Sequence, residues 1–200
     1  MPPGNRLSYL HAILAWPILD LMTLLGRLFR PRPTAVDISW LTSELAIASA
    51  PKDRDWPALQ QSGIRAVLDL RAEAEDNAAL VQGVYGLRYL RLPIVEYAAP
   101  AESELRLVTQ WVVERINTNE PVLVHCREGR GRSALVACSV LVSLGTPLKD
   151  AYQMLMKARP QASLSEPQED LLQLFAGASN AARPGLRDED PTTQSQATKS

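Results

Sequence analysis

Residues 125–134 read HCREGRGRSA, one cysteine and three arginines in ten positions broken by two glycines. A cysteine thiol is mostly protonated at neutral pH and only its thiolate is a strong nucleophile, so a reactive Cys126 needs surroundings that favour negative charge. The stretch offers three. Backbone N–H groups of a glycine-containing loop can turn inward, a helix following the loop directs its positive end at it, and Arg132 returns a guanidinium to its mouth. The same features make a phosphate cradle, in which a planar guanidinium holds two oxygens and loop amides hold the rest. Gly129 and Gly131 permit the backbone geometry and the close approach that side chains would block. A thiolate in that cradle lies beneath phosphorus, positioned for in-line attack.

Such a loop must be held between rigid elements, and the flanking sequence supplies them. PVLVHC before it reads as a central strand, and Ser133 through Leu144 has the apolar density of a helix buried on most sides. Upstream, ELAIASA reads as a short strand, DRDWPALQQSG as a helical turn or two closed by Gly63, and IRAVLDLR and LRYLRLPI as two further strands. In AESELRLVTQWVVERINTN, Leu105, Val108, Val112 and Ile116 form an apolar helical stripe, with Glu102, Arg106, Gln110 and Glu114 facing water. Helices around 148–158 and 166–176 follow. The alternation predicts an α/β domain, with a central, mostly parallel sheet flanked by helices and the loop 126–132 at the carboxyl ends of strands, where such sheets bind ligands.

Residues 34–178 are read as that domain and 179–200, rich in Ser, Thr, Gln and Asp, as a disordered tail. Residues 1–33 form an apolar N-terminal segment. From Ile18 onward Ile18, Leu21, Leu25 and Leu28 repeat at helical spacing opposite Asp20, Thr23, Arg27 and Arg30, which predicts an amphipathic helix. Two readings stand: packing on its own domain, or peripheral contact of residues 7–30 with a membrane, Arg27, Arg30 and Arg32 lying near anionic lipid. A membrane span fits less well, because His11, Pro17, Asp20 and Arg27 interrupt it.

The formal net charge is −1, which gives no basis for a nucleic-acid partner; any anion binding must be local. Two cysteines, Cys126 and Cys138, without a convincing signal peptide argue against a disulfide framework and for a cytoplasmic, reducing setting. Metal is not expected, since His11 and His125 are the only histidines and neither sits in a close-spaced ligand set.

Cys126, five intervening residues, Arg132 and Ser133, preceded by His125 at a strand end, resemble the signature loop of the cysteine-dependent dual-specificity phosphatases. The likeness runs from about Trp40 to Phe175. It implies a cysteine-phosphatase fold with the catalytic loop between the last central strand and a buried helix. It further implies that Cys126 forms a phosphocysteine, Arg132 binds phosphoryl oxygens, Ser133 hydrogen-bonds the sulfur and eases its departure, and His125 orients the loop. Residues Arg127, Glu128, Gly129, Arg130 and Gly131 would then contact substrate. Ser133 also fits a helix N-cap, and Cys138 fits core packing.

A phosphatase of this kind needs an acid for the leaving oxygen. The family places an aspartate after the strand that reads YLRLPI here, and the matching residue is Glu96, a departure that adds one methylene. Glu102 and Glu104 are alternatives, although both also suit an acidic first helical turn, and a substrate with a good leaving group would need no side-chain acid. Asp69 and Arg71 end a strand on the same side of the sheet, as a substrate rim or a structural ion pair. No cofactor is implied, because thiolate and loop amides do what a metal otherwise would. The substrate is a phosphorylated protein or a phospholipid. Arg127 and Arg130 resemble the basic loop positions of phosphoinositide and phosphatidylglycerophosphate phosphatases, with Glu128 cancelling part of their field. Two rivals remain: a non-catalytic phospho-ligand module, and a rhodanese-like sulfurtransferase, whose shorter loop CREGR resembles.

Overall fold

The computed structural model describes residues 36–181; the N-terminal amphipathic segment and nearly all of the expected tail lie outside the described residues. Five strands form one sheet: β1 (Ile38–Trp40), β2 (Leu45–Ala48), β3 (Ala66–Arg71), β4 (Arg88–Ile94) and β5 (Val122–His125). Their order is β1-β2-β5-β3-β4, with β1 antiparallel to β2 and every other pairing parallel. The helices are α1 (Trp56–Gln61), α2 (Glu102–Asn117), α3 (Arg132–Ser143), α4 (Leu148–Ala158) and α5 (Glu166–Ala181). Among the described residues no helix is long and apolar enough to cross a membrane.

The central strands carry apolar residues on both faces, as strands covered by helices on two sides must. Leu45, Ile47, Leu68, Leu70, Val122 and Val124 pack with α2, α3, α4 and α5, while Ala46, Ala48, Val67 and Leu123 on the opposite face meet Trp56, Leu59, Ile64, Val81 and Leu87. Each fully buried leucine among them stabilises the fold by about 1.5–3 kcal/mol. Helix α3 is buried nearly all round, from Arg132 through Val142, so the element following the loop is held on every side. In register, Ala48 and Asp69 both pair with His125. The three central strands therefore end level, and Cys126 emerges from the middle one at their shared carboxyl edge.

Three elements differ from the sequence reading. Strand β1 is a half-buried edge of three residues, too short for an alternation pattern, and a π-helical turn at Ala79–Val84 inserts buried Val81 under the sheet. Helix α5 continues past residue 176 to Ala181; buried Phe175 and Ala176 anchor it, and the Ser179 hydroxyl donates to the Phe175 carbonyl at 2.8 Å.

Candidate active site

The loop from Cys126 to Gly131 leaves β5 and enters α3 with Gly131 as its N-cap. Ser133 is therefore the second residue of the helix and not its cap, which corrects the capping reading; its hydroxyl is free to face Cys126. The loop carbonyls point outward and are taken up by the surrounding fold. The Arg127 carbonyl accepts from the Ala50 N–H at 3.1 Å and the Arg130 carbonyl from the Ser163 N–H at 3.2 Å, while the Glu128 carbonyl accepts from Arg159 Nη2 at 2.8 Å. With its carbonyls turned out, the loop can turn N–H groups in.

Gly129 is the tightest point. Its φ is +67, and a Cβ would lie 2.5 Å from the Ala48 carbonyl carbon and oxygen, so both the left-handed backbone and the close approach require glycine. At Gly131 a Cβ would come within 2.8 Å of Gln168 Oε1.

Cys126 is 3% exposed. Its Sγ accepts the Gly129 N–H at 3.2 Å and lies 3.5 Å from Ser133 Oγ. Burial pushes the thiol up, but the Ser133 hydroxyl and the N–H groups of Ser133, Arg130 and Gly129 more than offset it, so its pKa falls below the ordinary thiol value. By contrast Cys138, with burial alone acting on it, is pushed up to about 12. The two cysteines of the chain are thus shifted in opposite directions, Cys126 toward the thiolate and Cys138 away from it.

Arg132 is buried and doubly tied. Its Nη1 and Nη2 meet the two carboxylate oxygens of Glu73 at 2.7 and 2.8 Å, and Nη1 also donates to the Ile94 carbonyl at 2.8 Å. This fixes the plane of the guanidinium. Sequence reading passed over Glu73; the only signal was a run of carboxylates, AEAED, directly after β3. The Arg132 guanidinium holds the Glu73 carboxyl down at about 2, from an ordinary 4.5. A depressed folded-state value contributes stability that is present above pH 4.5 and is lost as pH falls toward about 2. Urea midpoints of wild type should therefore drop across that window more steeply than those of Glu73→Gln; parallel curves would contradict the pairing.

A cleft of about 310 Å³ includes Cys126 in its lining, together with Arg132, Gly131, Arg130, Glu128, Glu96, Tyr97, Ser163, Leu164, Ser165 and Gln168. Glu96 reaches it from the loop after β4, with Oε2 3.5 Å from Arg127 Nη1. That loop is strained and braced. Tyr97 has φ +64 and is 74% exposed; its carbonyl accepts from Ser165 Oγ at 2.7 Å, and the Ala98 carbonyl accepts from Gln168 Nε2 at 3.0 Å. A non-glycine residue in the left-handed region persists only where its surroundings over-determine it. Ser165 and Gln168, also missed in the sequence, provide this at the start of α5.

Of the remaining candidates, Glu128 and Arg130 line the cleft, and Arg127, Gly129, Glu102, Glu104, Asp69, Arg71 and His125 do not. Arg127 and Arg130 are exposed, the first against Glu96 and the second 3.3 Å from Glu128 Oε2. Glu102 pairs with Arg106, and Glu104 Oε2 accepts the Ala101 N–H at 2.8 Å, so both serve the first turn of α2 and neither lines the cleft. Beneath the loop, His125 Nε2 lies 2.8 Å from Asp76 Oδ2, and Arg71 Nη2 joins Asp76 at 2.6 Å to Asp69 at 2.8 Å. Asp69 and Arg71 are thus a buried structural ion pair under His125 and not a substrate rim. Burial raises the Asp69 carboxyl and the bonds from Arg71 lower it further, with a net fall. Asp69, Asp76 and His125 are close enough together to suggest a metal group, but the cation between the two carboxylates is the Arg71 guanidinium.

A family model described as Polymorphic toxin system, DSP-PTPase phosphatase matches residues 43–146, just over half of the chain and the whole path from β2 to the end of α3. The chain belongs to the DSP-PTPase phosphatase family. Among curated relatives of this phosphatase domain, phosphatidylglycerophosphate phosphatase PTPMT2 of Arabidopsis thaliana is 24% identical over 135 residues, covering 66% of this chain and 59% of that protein. A putative tyrosine phosphatase, 067L of Invertebrate iridescent virus 3, is 31% identical over 100 residues, covering 47% of this chain and 41% of the other. The chain thus spans about three fifths of the plant relative and two fifths of the viral one. The crystal structure of Tk-PTP in its active form superposes with a TM-score of 0.65 at 25% identity, covering 70% of this chain and 97% of that one. PTPMT1 in complex with PI(5)P superposes at 0.68 and 20% identity (73% and 98% covered), and human DUSP28 at 0.65 and 22% (75% and 99%). These last two bear on the fold, which is that of the cysteine phosphatases, as the sequence reading expected.

Proposed function

We propose that this phosphatase-family chain hydrolyses phosphate monoesters through a phosphocysteine at Cys126. The observation that carries the reading is the sulfur at the floor of the cleft, accepting a loop N–H and a hydroxyl contact while Arg132 stands fixed at the cleft wall. In the first step the Cys126 thiolate attacks phosphorus, the S–P bond forms as the bond to the leaving oxygen breaks, and Glu96 gives that oxygen a proton. Arg132 and the loop N–H groups hold the three equatorial oxygens, where charge accumulates. Water then attacks phosphorus and gives a proton back to the Glu96 carboxylate, the S–P bond breaks, inorganic phosphate departs, and Ser133 hydrogen-bonds the returning thiolate. His125, buried against Asp76, contacts no substrate and orients the loop from below.

Glu96 as proton donor has a specific consequence. Glu96→Gln should lower kcat roughly a hundredfold on an alkyl phosphate, whose leaving oxygen needs the proton. On an aryl phosphate with a good leaving group it should change kcat by less than about fivefold. Steady-state rates on the two substrates check this, and equal losses on both would remove Glu96 from the role.

For the substrate we infer a phospholipid headgroup. Support comes from exposed Arg130 in the cleft lining and exposed Arg127 paired with the cleft residue Glu96, which suit a phosphate carried among other negative charges, and from the plant relative's activity on phosphatidylglycerophosphate. Vesicles carrying phosphatidylglycerophosphate, soluble inositol phosphates and phosphotyrosine peptides, assayed on wild type and Cys126→Ser, test it. Turnover highest on the lipid supports the inference; equal or faster turnover on the peptides assigns the chain to phosphoproteins, the activity named for the viral relative.

A further inference from the structure

Arg159 takes no part in the chemistry just described, yet it is one of the largest fully buried side chains, 1% exposed at the end of α4. Burying a guanidinium is costly unless its donors are met by well-placed acceptors. Here Nη1 and Nη2 meet Asp37 Oδ1 and Oδ2 at 3.0 and 2.6 Å, Nη1 also lies 3.3 Å from Ser39 Oγ, and Nη2 donates to the Glu128 carbonyl at 2.8 Å, while the buried Nε finds no partner among the described residues. The Asp37 carboxyl is held below its ordinary value, chiefly by the bond from Arg159. A fixed cation therefore touches one peptide group of the catalytic loop.

That peptide group is one of those that serve the sulfur. Glu128 and Gly129 share a planar unit, and the structure holds no cis peptide among the described residues, so the Glu128 carbonyl and the Gly129 N–H point in opposite directions. The carbonyl points at Arg159, and the N–H points at Cys126 Sγ, 3.2 Å away. Gly129, the loop's one described residue with positive φ, is also the residue about which this plane could most readily turn. If it turned over, the carbonyl oxygen would face the thiolate. The guanidinium opposes that turn and, by drawing charge toward the carbonyl oxygen, strengthens the N–H as a donor.

We propose that Arg159, with Asp37 behind it, is a positioning residue for the nucleophile: it locks the 128–129 peptide so that the Gly129 N–H is aimed at the Cys126 sulfur. The neighbouring loop carbonyls of Arg127 and Arg130 are held by neutral backbone N–H groups; of these three anchored carbonyls, that of Glu128 alone meets a cation and alone shares its peptide plane with an N–H on the sulfur. The inference rests on Cys126 acting as a thiolate nucleophile.

The test is the pH dependence of Cys126 alkylation by iodoacetamide, located by mass spectrometry, together with kcat and KM on an aryl phosphate. In Arg159→Ala the alkylation midpoint should rise, making reaction roughly tenfold slower at a pH below both midpoints, and kcat should fall about as much. Arg159→Lys, which keeps one cationic donor, should restore part of both. Asp37→Ala, altered at a half-exposed side chain, leaves the arginine in place but unbraced and should slow alkylation by about threefold. A folded Arg159→Ala with the wild-type midpoint overturns the proposal; if that variant does not fold, an unchanged midpoint in Asp37→Ala does so. A wild-type Cys126 that titrates as an ordinary thiol would instead sink the functional reading beneath it, so the two failures are distinguishable.

Discussion

Cys126→Ser is expected to lose phosphate release by at least about a thousandfold while keeping the fold and the cradle. The hydroxyl is smaller than the thiol and fits the same space beside Ser133 Oγ and the Gly129 N–H. These contacts favour a sulfur anion, but an alkoxide lies too far above neutral pH for the same few hydrogen bonds to produce one. The loop N–H groups and Arg132 are untouched, so orthophosphate and substrate should still bind with near-wild-type affinity. Release from an aryl phosphate checks the rate, and calorimetric titration with orthophosphate checks the binding. Full turnover in the serine variant would leave the loop as a phospho-ligand module with catalysis elsewhere.

Arg132→Lys should cost roughly a hundred- to a thousandfold in kcat, although charge is conserved. The guanidinium is held flat by both oxygens of Glu73 and by the Ile94 carbonyl, which fixes its orientation in the cleft lining. An ammonium presents a point charge, cannot bond both Glu73 oxygens in parallel, and cannot hold two phosphoryl oxygens at once. Orthophosphate affinity should fall as well, because part of this contact exists in the ground state. The comparison of kcat with orthophosphate Kd separates the two: a loss in Kd with unchanged kcat would make Arg132 a binding residue only.

The loop was legible from its own residues because its chemistry is local: thiol, glycines, guanidinium and hydroxyl fall within eight positions, and the apolar runs on either side set it between a strand and a buried helix. Glu96 was reached only through resemblance, at the end of a strand of known place. What supports these groups was not legible. Glu73 lies 59 positions from Arg132, Gln168 lies 70 from Ala98, and Asp37 lies 122 from Arg159. Such pairings arise from sheet order, which brings β2, β5 and β3 level, and no periodicity along the chain records it. Strand β1 was missed for the opposite reason, three residues being too few to show alternation.

The most direct measurement of the central claim is an acid quench during turnover of an aryl phosphate, followed by mass analysis of the peptide that holds Cys126. A phosphoryl group bonded to the Cys126 sulfur in wild type, accumulating when water attack is the slow step and absent from Cys126→Ser, is the predicted result. Steady phosphate release with no phosphoryl group on Cys126, or with the group on another residue, would contradict it.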